Sequence, residues 1–155
     1  MTQSSNTQQI FNILILDESG SMESIRPSII SSFNELIQTI HAAHQKGMSE
    51  DPKQEHFITL YIFNGEAIRE VHFQAPVAQV HALSLETYHP NAGTPLFDTM
   101  GMALSRHETA IRQQPNAITL VTILTDGEEN VSREYGRDAI IALVNRLREA
   151  GWVFT

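Results

Sequence analysis

Apolar residues change period several times along this chain, and each change marks an element. Ile10-Phe11-Asn12-Ile13-Leu14-Ile15-Leu16 is apolar apart from Asn12 and does not alternate. Such a run predicts a strand buried on both faces. Ile29, Ile30, Phe33, Leu36, Ile37 and Ile40 then recur at helical spacing. They predict a helix with one apolar stripe over about Ser24 to His44, with Pro27 in its first turn. Residues 46–55 are polar, contain Gly47 and Pro52, and read as a surface loop. His56 to Phe63 reads as a second strand. Asn64-Gly65 follows it, a hairpin signal that expects φ > 0 at both positions. Ile68 to Phe73 is expected to return antiparallel, and its Arg69, Glu70 and His72 mark a sheet edge.

Residues 74–92 carry Pro76 and Pro90 without a clear period and read as a long connection with one short turn. Gly93-Thr94-Pro95 opens a second helix, with Leu96, Met100, Ala103, Leu104 and Ile111 on one side. Gln113 to Asn116, with Pro115, ends it. Ala117 to Thr125 is predicted as another strand buried on both faces, stopping at Asp126-Gly127. A third helix is expected from Gly136 to Glu149, with Ile140, Ile141, Val144 and Leu147 inward and Gly151 beyond its end. Trp152 to Thr155 reads as the first half of a further buried strand, so the natural sequence is expected to continue. Residues 1–9 read as a disordered leader and 10–155 as one domain. Strands alternating with helices, plus one hairpin, predict an α/β fold. It is a Rossmann-like, doubly wound, mostly parallel sheet with one antiparallel edge strand, in three α/β/α layers.

Composition narrows the function. At 155 residues the chain is large enough for a real core. A net charge of −8 and only ten Lys plus Arg argue against nucleic acid. The absence of cysteine excludes a disulfide framework, a thiolate nucleophile and a zinc–thiolate site. The polar stretch Met1 to Gln9 lacks the pattern of a signal peptide, and no apolar run approaches the ~20 residues of a membrane span. A cytoplasmic protein without membrane insertion is the expectation.

The chemistry gathers at strand ends. Asp17-Glu18-Ser19-Gly20-Ser21 leaves the first buried strand, and Asp126-Gly127 leaves a later one. Ligands of doubly wound sheets bind outside the carboxyl ends of the strands, where the strand order reverses. If those two strands are neighbours, both carboxylates face one crevice, with Gly93-Thr94 as a third loop. In Asp-x-Ser-x-Ser every second side chain points the same way, so residues 17, 19 and 21 share a target. Asp17, Ser19, Ser21, Thr94 and Asp126 then form an all-oxygen set, which selects Mg²⁺ or Mn²⁺, with Ca²⁺ as a third option. Glu18, Met22, Gly93 and Glu128 are placed on its rim. Two carboxylates and three hydroxyls leave the ion electrophilic and one ligand short. An acidic group from outside completes such a shell.

These three stretches, Asp17 to Ser21, Gly93-Thr94-Pro95-Leu96-Phe97-Asp98 and Thr125-Asp126-Gly127, resemble the three-part metal-ion-dependent adhesion site of von Willebrand factor type A domains, in a stand-alone bacterial form. The resemblance spans nearly the whole chain in the family's order, and it implies a last strand and helix that this sequence does not include. It implies a Rossmann-like fold and a divalent cation bound directly by Ser19, Ser21 and often Thr94. Asp17 and Asp126 would bind directly or through water. It also implies non-enzymatic capture of a partner protein through an Asp or Glu.

Simpler readings exist for each part. Ser19, Ser21 and Thr94 suit helix caps, with Thr94-Pro95 a good cap pair. Asp126-Gly127 suits a turn, Glu128 and Glu129 a solvated rim, and Asp98 either support for its helix's first turn or a hydrogen-bond partner for a neighbouring loop. The alternative function is a Mg²⁺ phosphohydrolase of the haloacid-dehalogenase type. That family needs a second Asp two residues after the first, where this chain has Ser19. It also needs a phosphate-steadying Lys, and Lys46 and Lys53, the only lysines, share one loop before the hairpin.

Overall fold

The apolar run near the start of the chain forms the central strand β1 (Gln8–Asp17) in the computed structural model, which describes residues 7–114, 116–127 and 129–155. A 3-10 turn (Gly20–Ile25) leads into helix α1 (Arg26–Gly47). Strands β2 (Gln54–Phe63) and β3 (Ile68–Pro76) form the hairpin. Helix α2 (Leu96–Ala110), strand β4 (Ala117–Leu124), helix α3 (Arg137–Glu149) and the short strand β5 (Val153–Phe154) complete the order. The sheet runs β3-β2-β1-β4-β5. All pairs are parallel except β2 with the edge strand β3. Of the expected leader, residues 1–6 lie outside the described residues, and Gln8 and Gln9 already belong to β1.

β1 is apolar from Ile10 to Leu16, Asn12 apart, because it is covered on both faces. Leu14 and Leu16 pack with Phe33, Ile37 and Ile40 of α1. Ile13 and Ile15 pack with Met100 and Leu104 of α2 and with Leu143 and Leu147 of α3. Three layers result. Asn12, the one polar residue of the run, satisfies its amide group inside the sheet. Its Nδ2 donates to the Phe57 carbonyl at 3.1 Å and pairs with His56 Nδ1 at 3.1 Å.

Several local expectations are corrected. Asn64 and Gly65 are not among the positive-φ positions, which are Gln74, Ala92, Gly127 and Gly151. The turn closes instead through Asn64, whose N–H donates to the Ala67 carbonyl and whose Oδ1 accepts from the amides of Glu66 and Ala67. That is an Asx-type turn. Gly65 is needed for proximity: a Cβ there would lie 2.5 Å from the Gly93 nitrogen. β4 is mostly half-buried, not wholly buried, because β5 pairs with it only at Leu120 and Val121. Val153 is likewise exposed. On α3 the inward stripe is Ile140, Leu143 and Leu147, with Val144 packed against it. Ile141 falls off that stripe and is 43% exposed.

The α1–β2 connection carries its own steric requirement. A Cβ on the buried Gly47 would sit 2.3 Å from the Gln54 carbonyl oxygen. That atom belongs to the first residue of β2 and has no flexible side chain to yield. Gly47→Ala is therefore expected to destabilise the fold by about 1–3 kcal/mol despite alanine's better helix propensity. The urea midpoint measures it, and an unchanged or raised midpoint would refute the steric reading.

Candidate functional site

The topology puts the reversal of strand order between β1 and β4. From β1 the chain moves through α1 to β2 on one side, and from β3 it returns through α2 to β4 on the other. The carboxyl ends of these two paired strands bring Asp17 and Thr125-Asp126 together at the edge where a doubly wound sheet forms its ligand crevice, and Thr125 bonds Asp17 there.

Asp17 is fully buried there. Its Oδ1 accepts from the Ser19 amide at 2.7 Å, and its Oδ2 from the Thr125 hydroxyl at 2.7 Å. The Thr125 oxygen in turn accepts from the Gly127 amide at 3.1 Å, which fixes the turn that carries Asp126. The Asp17 carbonyl accepts a short hydrogen bond from the buried Tyr88 hydroxyl. Ser19 and Ser21 turn their hydroxyls toward each other, 3.3 Å apart. Ser19 is buried and Ser21 exposed, so the pair runs from the crevice floor to its mouth.

The third loop is stapled to the first. The Gly20 amide donates to the Ala92 carbonyl at 2.9 Å, and the Asn91 amide to the Glu18 carbonyl at 2.9 Å. Ala92 holds φ at 64°, left-handed backbone that disfavours a side chain. Thr94 is buried and pairs through its backbone with Asn130: its N–H donates to Asn130 Oδ1 at 2.8 Å, and its carbonyl accepts from the Asn130 amide at 3.1 Å. Thr94 does not cap α2. The cap position is Pro95, without a side-chain bond. The first turn of the helix is satisfied from outside, by Glu129 Oε1 on the Phe97 amide and Ser132 Oγ on the Asp98 amide.

Two expected rim residues belong elsewhere. Met22 is fully buried in the cluster with Leu14 and Phe33. Its apolar side chain is drawn under α1, so it is not at the crevice mouth. Glu18 is 6% exposed, its carboxylate taken up by Arg69 and the His89 amide. Gly93 is half-buried against Asn130 and Val131, where a Cβ would meet Val131 at 2.9 Å. Glu128 lies outside the described residues. Glu129 is not a solvated rim residue: it is half-buried and bonds Phe97 and Ser132. Asp98 does hold a neighbouring loop, accepting from the amides of Arg133, Glu134 and Tyr135 at 2.8–2.9 Å. Asp126 is exposed. Its charge reaches Tyr88, whose hydroxyl pKa is pushed up by burial first and then by Asp17, Glu18 and Asp126. Asp126 follows β4, whose last residue Leu124 pairs with Leu16 of β1, and so stands at the same end of the sheet as Asp17.

No protein-family model matches the chain, and no curated protein matches it. Among the described residues, no three His, Asp or Glu side chains gather into a metal-binding group. The crevice differs from such a group because hydroxyls make up most of its donor set. An octahedral Mg²⁺ with ~2.1 Å bonds has adjacent ligands about 3 Å apart. The Ser19–Ser21 separation of 3.3 Å is close to that edge. Among the described residues each Asp17 oxygen accepts one hydrogen bond, which leaves it a further lone pair. These residues therefore fit a hard cation.

Three supporting residues, Tyr88, Asn130 and Arg69, have roles that sequence reasoning does not assign, and Thr125 enters it only as part of the Thr125-Asp126-Gly127 motif. Tyr88 carries a visible signal, a lone aromatic residue in a proline-flanked stretch. Asn130 and Arg69 act through the pairing of distant loops, which no local pattern records.

Proposed function

We propose that this domain is a non-enzymatic protein-binding module of the von Willebrand factor type A kind. In this reading Asp17, Ser19, Ser21, Thr94 and Asp126 hold a divalent cation, Mg²⁺ or Mn²⁺. The ion supplies a point of positive charge that an Asp or Glu of a partner protein completes. One observation carries the reading. Asp17 is a fully buried carboxylate that, among the described residues, forms no salt bridge, and it lies beside two hydroxyls 3.3 Å apart. Burying a carboxylate without a cation is costly. A dication at this point offsets that cost, and the motif order along the chain supports the same assignment. The chain's own residues do the positioning. The Ser19 amide and Thr125 hydroxyl aim the Asp17 carboxylate, and the Gly20–Ala92 bond draws the Thr94 loop in. For a protein of net charge −8, local capture of an acidic partner needs such a positive point.

The test is thermal unfolding of the chelated protein with added Mg²⁺ or Mn²⁺. A rise in melting temperature is expected, equivalent to about 2.7 kcal/mol at a hundredfold excess over the dissociation constant. A melting curve unmoved by either ion would sink the cation site. Mg²⁺-dependent phosphatase turnover lost in Asp17→Asn would sink the non-enzymatic assignment.

A further inference from the structure

Glu18 is the carboxylate of the first loop for which the cation site has no use, yet it is buried. Its Oε1 accepts from Arg69 Nη2 at 3.1 Å, and its Oε2 from the His89 amide at 2.9 Å. Its own amide donates to the Phe63 carbonyl at 2.7 Å, and its carbonyl accepts from the Asn91 amide at 2.9 Å. One residue thus ties the end of β2, the edge strand β3 and the 88–92 segment to the Asp17–Ser21 loop. The 88–92 segment needs such a hold, because Ala92 sits at φ 64° while its carbonyl accepts from Gly20. Two residues further on is Thr94.

We propose that Glu18, oriented by Arg69, is a positioning residue for the cation site. It holds the 88–92 segment against the first loop, so that Thr94 is presented to the point shared by Ser19 and Ser21. In this way it couples the crevice to the edge strand β3. The inference rests on the cation-binding reading of the crevice.

Charge and position give opposite signs at Arg69, which makes the role testable. Arg69 is a cation near a site for a dication. Its removal by charge alone would strengthen cation binding. If its work is to orient Glu18, removal weakens binding. The side chain is 52% exposed on an edge strand, so its truncation leaves the core intact.

The experiment is calorimetric titration of Mn²⁺ into the chelated wild type, Arg69→Ala, Arg69→Lys and Glu18→Gln, with the metal-free melting temperature of each. Wild type is expected to bind. Arg69→Ala is expected to bind about tenfold more weakly, the usual scale for residues that orient metal ligands. Arg69→Lys is expected to recover part of the loss, because an ammonium still offers Glu18 a charged donor. Glu18→Gln is expected to lose at least as much as Arg69→Ala. If Glu18→Gln does not fold, the two Arg69 variants carry the test alone. Wild-type binding with Arg69→Ala equal to or tighter than wild type overturns the positioning role and leaves the cation site standing. Failure of the wild type to bind Mn²⁺ overturns both.

Discussion

Asp17→Asn is expected to fold, to be no less stable than wild type without metal, and to lose the cation-dependent rise in melting temperature. Two donors among the described residues reach this carboxylate. The Ser19 amide bonds Oδ1, and an asparagine oxygen accepts that bond equally well. The Thr125 hydroxyl bonds Oδ2, and it can reorient to accept from the new amide group, since a hydroxyl has two lone pairs. The substitution also removes a buried charge that has no salt-bridge partner among the described residues. What disappears is the anionic ligand. At a cation concentration a hundred times the wild-type dissociation constant, the wild type gains about 2.7 kcal/mol that the variant does not. Asp17→Ala behaves differently. It strands the Ser19 amide and the Thr125 hydroxyl, at a cost of about 1–3 kcal/mol in the metal-free protein. Denaturant titrations of the three proteins with EDTA and with Mn²⁺ separate the two effects. A full Mn²⁺-dependent shift in Asp17→Asn would remove Asp17 from the cation site.

That contrast shows what was and was not legible in the chain. The run from Ile10 to Leu16 has no period-2 alternation, which carries enough information to predict a strand covered on both faces. The same holds for the helical stripe of Phe33, Ile37 and Ile40. Both patterns are local, and the sheet order then makes β1 and β4 the neighbours that a common crevice requires. Met22 leaves the rim for a local reason. The loop beyond Ser19 is not an extended ribbon but a 3-10 turn, Gly20–Ile25, which rolls Met22 under α1. The alternation of Asp17, Ser19 and Ser21 does not extend past Ser21. Glu18 looks like a solvated acid until Arg69, 51 residues away, is folded against it. The hairpin was predicted from Asn64-Gly65, but for the wrong chemistry. The glycine makes room for Gly93, and that contact exists only once the third loop is in place. The helix cap expected of Thr94 is supplied instead by Glu129 and Ser132, from a loop more than thirty residues away.

At the opposite end of the sheet, acid is expected to weaken the fold through His107. The imidazole is fully buried between Phe11 and Trp152, T-shaped to each ring, with centroids at 5.0 and 5.5 Å. Its Nε2 lies 3.4 Å from the Thr119 hydroxyl, and its Nδ1 has no partner among the described residues. Burial lowers its pKa from 6.5 to about 4. The folded state therefore prefers the neutral ring. Above pH 6.5 the ring is neutral in folded and unfolded chains alike, and His107 contributes no pH dependence. Between pH 6.5 and about 4 the unfolded chain takes up a proton that the folded chain refuses. Stability then falls by about 1.4 kcal/mol per pH unit, roughly 3 kcal/mol over the window. His56, whose pKa burial and His44 also lower, adds in the same direction. His107→Leu keeps an apolar group between the two aromatic rings and has no proton to gain. Its unfolding free energy should therefore decline less than that of the wild type between pH 7 and pH 4, by about 3 kcal/mol. Urea unfolding of both proteins at the two pH values measures the difference. Equal losses in wild type and variant would show that His107 is protonated in the folded state, against the burial that the aromatic rings impose.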